Sequence, residues 1–485
     1  MARAYLWPVS LPLPRMRRRS WIVPLFFLCL SLALRWGSFS LSVIDHDEST
    51  YIVGADELLR GETYLRDVID TKPVGIFWLY AALISLTGGS IWLLRFAAAV
   101  FVALGGWLLC RVARQATGQL AAGFVAGCVY VYMCSVYTYY GISPNTEIFF
   151  NVCTIAAVAT TVAARRKRWG LGGLFLGAGF VIKPFVAAEA LAIGLYLVWL
   201  YHRTPGVMIR RGLRLVAGFS LIPALVICYF AQHHLLDQLY FYTFEVAAAY
   251  PIELPWYLRL KYMGDYALRY SPFLLPAIVL FYRRPRPADL GPWFYYLALQ
   301  AVLVSTVVLL TGKRFGHYQI QLHPIVALYV GSCAGLIWTG TRRVHRYAVA
   351  GVLAVAVAIG IGHALYYSRK DDESRRIAAV LGPLLEPGET FFGMNGFQIT
   401  YHLLDRPVPT PYIHSSLLFY DHHVRAFQIN EAAEGNRIVA DPTVRYVVRR
   451  VDDTEAESTL GRRVSEAFVP FRRVDDNVEI WRRKQ

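Results

Sequence analysis

The sequence predicts an all-α polytopic membrane protein of about eleven transmembrane helices, with interfacial helices on its outer face and a small C-terminal soluble α/β domain. Three observations lead there. Hydrophobic residues make up 56% of the 485 residues and charged residues 17%, whereas a soluble domain carries roughly 45–50% apolar and about 25% charged residues. Long apolar runs recur between residues 21 and 367, separated by short basic clusters. After residue 368 those runs stop and charged residues become frequent. So apolar and aromatic a chain is not intrinsically disordered. The formal charge of +16 is divided among clusters between apolar runs, which is how membrane proteins set their orientation and argues against a nucleic-acid partner. The seven cysteines (Cys29, Cys110, Cys128, Cys134, Cys153, Cys228 and Cys333) lie in apolar runs without paired spacing. They are expected to be buried small hydrophobes, not a disulfide framework.

Residues 1–20 form a basic segment with Arg3, Arg15, Arg17, Arg18 and Arg19, expected in the cytoplasm. The run from Trp21 to about Phe39 is long enough to cross a hydrocarbon core of roughly 30 Å, and no A-x-A site follows it. It therefore reads as a retained first transmembrane helix and not as a signal peptide. Further apolar runs lie at about 91–110, 120–140, 147–164, 169–182, 184–201, 213–231, 271–282, 291–311, 321–340 and 347–367. The runs at 169–182 and 271–282 are short, which is tolerated where a helix packs inside protein. The clusters Arg111/Arg114, Arg165-Arg166-Lys167-Arg168, Arg203/Arg210/Arg211, Arg283-Arg284/Arg286 and Arg342-Arg343/Arg346 fall on one side of this scheme, the cytoplasmic side. The N-terminus is then cytoplasmic and the C-terminus periplasmic, in a bacterial inner membrane.

The transmembrane domain so defined covers 21–367. Two long outer loops interrupt it, at about 41–90 and 232–270. The first is acidic, with Asp45, Asp47, Glu48, Asp56, Glu57, Glu62, Asp67 and Asp70. Within it Thr50–Arg60 places Tyr51, Ile52, Ala55, Leu58 and Leu59 at helical spacing and predicts a helix lying on the interface. Val74–Leu86 predicts a second. The second loop is rich in tyrosine and tryptophan, as an interface is. Residues 368–485 are expected to form a periplasmic soluble α/β domain, with strands at Thr390–Met394, Arg445–Val451 and Val478–Arg482.

The candidate chemistry lies in four polar stretches beside the apolar runs. In Asp45-His46-Asp47-Glu48-Ser49-Thr50-Tyr51, a carboxylate can serve as general base for a hydroxyl. The plainer reading makes Asp47 the N-cap of a helix starting near Ser49, with Glu48 favoured by the helix dipole and His46 an ordinary interface histidine. In Asp70-Thr71-Lys72-Pro73, Lys72 can hold a phosphate as a point charge or simply snorkel. In Ser143-Pro144-Asn145-Thr146-Glu147, Glu147 can bind a sugar hydroxyl or position Lys72, or be only a helix N-terminal acid. In Gly312-Lys313-Arg314-Phe315-Gly316-His317-Tyr318, Arg314, His317 and Tyr318 combine forked donors with an aromatic face, which suits a phosphate beside a sugar, or they are only a flanking anchor. Lys183, before Pro184, and Glu189 are ionisable groups near or within the bilayer, which are functional candidates by default. On the topology above, Asp47, Lys72, Glu147, Lys183 and Arg314–Tyr318 all face the outer compartment.

With these motifs the sequence resembles the integral-membrane GT-C glycosyltransferases, in the branch of the protein O-mannosyltransferases and the lipid A aminoarabinose transferase. In that branch an acidic D-E followed by an aromatic precedes a K-P-P-like element. Here these stand as Asp47-Glu48-x-x-Tyr51 and Lys72-Pro73, with Val74 where a second proline is common. The Glu147 turn, with Asn145, and Arg314-Phe315-Gly316-His317-Tyr318 are similar to further elements of bacterial members.

The resemblance implies a GT-C-like fold and a polyprenyl-phosphate sugar donor. It also implies an acceptor hydroxyl on a glycolipid, polysaccharide or protein. Asp47 would act as the base of an inverting transfer, Glu48 and Glu147 would orient hydroxyls, and Lys72, Arg314 and Lys183 would steady the leaving phosphate. A divalent cation (Mg or Mn) has carboxylates to sit beside, but the ligands lack the spacing of a dedicated metal site and none is predicted. The alternative from another class is a secondary transporter of a polar or anionic solute, compatible with Lys183-Pro184 and Glu189 but lacking repeat symmetry.

Overall fold

The structure, a computed structural model, describes residues 21–249, 254–283, 290–313, 316–337, 342–452 and 457–484. The basic segment 1–20, and Arg284, Arg286 and Arg314, lie outside the described residues. The chain is mostly helical and carries one small sheet near its C-terminal end. It divides into two compact units, one built from residues up to 39, 95–226 and 252–368, the other from 40–94, 227–251 and 369–485.

The first unit is all helix. In chain order its elements include α1 (Ile22–Arg35), and, numbering on past two helices of the second unit, α4 (Ile91–Thr117), α5 (Leu120–Met133), α6 (Thr146–Thr160), α7 (Trp169–Ile182), α8 (Ala187–Tyr201) and α9 (Pro205–Gln232). Helices at Trp256–Arg269, Ser271–Arg283, Gly291–Leu310, His323–Gly335 and Arg342–Ser368 follow. Each predicted apolar run is thus met by a helix. Among the described residues, five helices are long and apolar enough to cross a membrane: Ile91–Thr117, Pro184–Tyr201, Pro205–Gln232, Gly291–Leu310 and Arg346–Ser368. Six shorter apolar helices accompany them.

Small residues let these helices approach closely. On α7 a side chain at Gly173 or Gly177 would collide with the backbone of α9 at Leu215 or Phe219, and one at Gly218 would strike the carbonyl of Gly170. Short, glycine-rich α7 can therefore pack as the sequence suggests, inside protein. One expectation is corrected. Cys110, Cys128, Cys134 and Cys333 are buried, but Cys153 is only half-buried and Cys29 and Cys228 are exposed. The last two lie on faces of α1 and α9 that no other described part of the chain covers, and apolar context alone cannot tell such a face from a buried one.

The second unit contains α2 (His46–Leu59), α3 (Val74–Thr87), short helical turns between 236 and 249, and the C-terminal residues. Its sheet holds β1 (Thr390–Gly393), β2 (Val444–Arg450), β3 (Phe468–Arg473) and β4 (Val478–Arg483) in the order β1-β2-β4-β3. β1 runs parallel to β2, and β4 is antiparallel to both β2 and β3. β3 is not among the strands expected from the sequence, because only its first residue, Phe468, is buried and the rest shows no alternation. The core beneath includes Phe392, Met394, Ile438, Val444, Val447 and Leu460, joined by Ile69 and Val246 from the two long loops.

Two expectations about α2 also change. Asp45, not Asp47, is the N-cap, its side chain accepting from the Asp47 N–H at 3.4 Å, so the helix begins at His46. Glu48 to Ala55 are all buried, so over these two turns α2 has no free face to lay on an interface.

The C-terminal residues are tied to the first long loop by polar contacts. Asp372 accepts from the Ser42 N–H at 2.8 Å and from the Ser42 hydroxyl. Arg60 bridges Glu57 at 2.7 Å and Asp405 at 2.6 Å. His402, in the helix Ile399–Leu404, sets Nδ1 2.7 Å from Asp56 Oδ2 and Nε2 2.7 Å from the Gly89 carbonyl. A carbonyl only accepts, so Nε2 carries a proton, and the carboxylate favours a second on Nδ1. Burial opposes the charged ring and Arg60 opposes it weakly. Asp56, by hydrogen bond and by charge, and the Gly89 carbonyl outweigh them and hold the pKa above the ordinary 6.5.

The contribution of this contact is full below the unfolded value of 6.5 and is lost as pH rises through the higher folded value. Thermal unfolding in detergent should therefore show stability falling as pH is raised from 6.5. His402→Ala should cost about 1.5–3 kcal/mol at the lower pH and remove much of that slope. An unchanged slope in the variant would contradict this account.

Candidate functional site

Two groups of site residues form, one in each unit, and each follows from local chain chemistry. In the second unit the turn Asp70-Thr71-Lys72 is folded by its own aspartate. Asp70, buried, accepts from the Lys72 N–H at 3.0 Å and from the Thr71 hydroxyl at 3.3 Å, an Asx turn. The Tyr64 hydroxyl donates to the Lys72 carbonyl. Pro73 then sits at the N-cap of α3 with φ −64°. The first helical residue is Val74, directly after this proline.

This turn aims the Lys72 ammonium at Asp47, 2.8 Å away, with Asp70 at 3.4 Å. Asp47 stands in the first turn of α2, and the Lys72 ammonium lies 5.9 Å from the ring centre of Tyr51. Tyr51 is itself buried against Tyr80 and Phe77, with ring centres 5.4 and 6.1 Å away. Glu48 is buried and accepts the Ile44 N–H at 3.2 Å, steadying the chain as it enters α2. Asp47 and Lys72 are each about one-fifth exposed, so a solute can reach the pair. Asp70 is not among the site residues expected from the sequence, although the D-x-K spacing of an Asx turn is present there.

The second group lies in the first unit. Lys183 precedes Pro184, and the proline ring bars it from the helical region. It accordingly takes φ −155° and ψ 122°, ends α7, and presents its side chain beyond the helix. Its ammonium pairs with Glu147, fully buried in the first turn of α6. It also stands over the ring of Tyr318 at 4.0 Å and of Phe185 at 5.0 Å, a cation–π arrangement. His317 is buried edge-on to Tyr318, with ring centres 4.6 Å apart. Asn145 occupies the N-cap position of α6 without a side-chain bond to the first turn.

The 3-10 turn Gly316–Leu322 that carries His317 and Tyr318 is held on three sides. Asn151 donates to the Ile320 carbonyl at 3.0 Å, Gln319 to the Tyr262 carbonyl at 3.0 Å, and Gln321 to Glu189 at 2.8 Å. Glu189 is thus a buried partner of Gln321. Arg314 lies outside the described residues.

One residue that places this group carries no distinguishing signal in the sequence. Arg35, the last residue of α1, is buried and donates to the carbonyls of Cys134 at 2.5 Å, Gly141 at 2.8 Å and Ile142 at 2.7 Å. These close the end of α5 and the turn that leads into Ser143–Glu147. An arginine at the end of an apolar run reads as an ordinary flanking cation, so only the fold reveals the clamp.

These arrangements can be set beside known proteins. A family model described as dolichyl-phosphate-mannose-protein mannosyltransferase matches residues 71–230. An undecaprenyl phosphate-alpha-4-amino-4-deoxy-L-arabinose arabinosyl transferase 2 of Proteus mirabilis is 25% identical over 188 residues, 36% of this chain and 34% of that protein. The corresponding transferase of Pectobacterium carotovorum is 29% identical over 153 residues, 29% of this chain and 28% of that protein. The chain therefore spans about a third of the length of these curated relatives. The crystal structure of ArnT from Cupriavidus metallidurans bound to undecaprenyl phosphate superimposes with a TM-score of 0.66, covering 96% of this chain and 98% of that one at 14% identity. The chain has the ArnT fold. The resemblance to the GT-C glycosyltransferases drawn from the motifs is borne out by these matches, and ArnT-like architecture accounts for the helical unit and the small sheet alike.

The buried Glu147–Lys183 pair makes a direct prediction. Removing one partner leaves a charge stranded, at about 3–5 kcal/mol. Glu147→Gln and Lys183→Met should each lower the unfolding midpoint in detergent clearly, whereas the double variant should cost less than the sum of the two. Additive losses would mean that the pair is not coupled as the geometry requires.

Proposed function

We propose that this protein transfers a sugar from a polyprenyl-phosphate donor to an acceptor hydroxyl at the outer face of a bacterial inner membrane. The anomeric carbon is inverted and Asp47 is the base. The observation that carries this reading is the Asp47–Lys72 pair, 2.8 Å apart and still open to solute. Around it, Asp70, Tyr64 and Tyr51 fix both partners on the Asx turn and on α2. The names of the relatives, undecaprenyl phosphate-linked aminoarabinose transferases, and the undecaprenyl phosphate bound to ArnT support a lipid-phosphate donor. The acceptor is a hydroxyl of a glycolipid, a polysaccharide or a protein.

In the proposed step the acceptor oxygen attacks the anomeric carbon, its proton passes to an Asp47 oxygen, and the bond from carbon to phosphate oxygen breaks. The phosphate leaves with the electron pair. Lys72 meets the charge that grows there. As the donor phosphate draws Lys72 toward itself, the Asp47 oxygen that faces the ammonium becomes free to accept from the hydroxyl, so donor binding and the placement of the base are coupled. The Glu147–Lys183–Tyr318 group supplies a cation beside an aromatic face, which suits a phosphate and a sugar, with His317 behind the ring. Glu48 and Asn145 act as supports, and Arg314 as a further cation for the phosphate. The N-terminus lies in the cytoplasm and residues 368–485 in the periplasm, according to the distribution of basic clusters.

The test uses full-length protein in detergent with undecaprenyl phosphate-linked sugars and envelope lipids, following transfer by mass spectrometry. Asp47→Asn should lower transfer roughly 10²–10⁴-fold while unfolding like the wild type. Lys72→Met should lower it too, with a weaker hold on the donor. A folded Asp47→Asn variant that transfers at the normal rate would sink the assignment of the base.

A further inference from the structure

We propose that His414 is a substrate-contacting residue of the Asp47–Lys72 site, holding the acceptor hydroxyl through a hydrogen bond to its imidazole. The proposal rests on the transferase reading above and assigns that site a residue from the C-terminal part of the chain.

The backbone brings it there. Ile69 donates its N–H to the Pro411 carbonyl at 2.6 Å, and Ile413 donates to the Ile69 carbonyl at 3.3 Å. These bonds make a short parallel bridge that sets Tyr412 opposite Ile69. Two residues further along the two strands stand His414 and Thr71, and Thr71 directly precedes Lys72. Ile413, buried, also presses on α2. A Cβ at Gly54 would lie 2.9 Å from its Cδ1 and would strike Phe77 as well. The position of residue 414 is therefore set by a ladder on one side and a helix contact on the other.

The side chain is prepared in the same way. Nδ1 lies 2.6 Å from the Ser416 hydroxyl. That contact fixes the ring, and among the described residues Nε2 has no hydrogen-bond partner. The residue is half-buried, so a solute can reach that nitrogen. The charges that reach the ring are those of Lys72, Asp70, Asp47 and His46, all from the site. Burial first, and then Lys72, push its pKa down to about 4. The ring is neutral at pH 7, so it is not a third cation for the phosphate. What it offers is one uncharged hydrogen-bonding nitrogen in a place otherwise full of charge, which matches a hydroxyl.

The experiment compares wild type with His414→Ala, His414→Phe and His414→Gln. Full-length protein is used, with undecaprenyl phosphate-linked 4-amino-4-deoxy-L-arabinose as donor and lipid A as acceptor. Sugar moved to the acceptor and sugar released to water are measured together. In the Ala and Phe variants transfer should fall roughly tenfold, with the acceptor KM rising, while release to water and the donor KM stay within about twofold. His414→Gln, which keeps a hydrogen-bonding group, should recover part of the transfer. Phe preserves a ring and guards against a variant that fails to fold.

Equal losses of transfer and hydrolysis would assign His414 a purely structural role and overturn the proposal. So would unchanged transfer in the folded Ala or Phe variant. A wild type that yields neither product would instead overturn the transferase reading on which the proposal stands.

Discussion

A charge buried in a chain this apolar has to be met by a partner, and the placement of the candidate residues follows from that constraint. An isolated ion moved out of water costs several kcal/mol or more, so it either pairs or stays neutral. Glu147 is fully buried and pairs with Lys183. Arg35 is buried and directs its donors to three carbonyls at the end of α5 and in the turn before α6. Arg95, also buried, donates to the Ser38 carbonyl at 2.6 Å. Each contact joins parts of the first unit that are remote in sequence. The same bonds that offset the cost of burial therefore hold the turn bearing Glu147 where it is. The candidate site residues and the contacts that hold this part of the fold are thus one set of side chains, and a substitution there is expected to change stability.

The second unit is ordered on a different principle. Here the first long loop is acidic, and the C-terminal residues supply many of its partners. Ile69 is stitched to Pro411 and Ile413 by backbone bonds, Asp56 to His402 and Arg60 to Asp405 by side chains. Hydrophobic burial supports these links, since Ile69 and Val246 enter the core beneath the sheet. In consequence, residues 369–485 are not a separate appendage to the loop. They and residues 40–94 form one compact unit, and the Asx turn that aims Lys72 at Asp47 is anchored in it.

The helices and the motif positions are legible in the amino-acid order alone. Apolar runs locate helices because a helix buries or exposes residues by a rule that operates within a few positions of the chain. The motif positions are legible for a related reason. Lys183 before Pro184 and Lys72 before Pro73 are local signals, since proline restricts the residue it follows. In the structure these lysines end α7 and lead into α3, respectively. Local rules also mislead. They favour Asp47, the aspartate nearest the expected helix start, as the N-cap of α2, whereas Asp45, two residues earlier, holds that place. The periodicity of Thr50–Arg60 suggests a helix with one free face, whereas from Thr50 to Ala55 the chain covers every side and only the last turn is exposed.

By itself, then, the sequence determined a chain of apolar helices with an acidic first loop, a pattern of basic clusters between the apolar runs, and the motifs that resemble a GT-C glycosyltransferase. Only the tertiary structure decided which charges pair. Asp47 and Lys72 are joined across the turn at Asp70, Glu147 and Lys183 across the ends of α6 and α7. Arg35 became a clamp and His414 a neighbour of the site. Periodicity and capping are properties of adjacent residues, so one stretch of sequence carries them. An ion pair or a hydrogen bond between distant residues depends on how the chain returns upon itself, and that path is set by the packing of the whole unit.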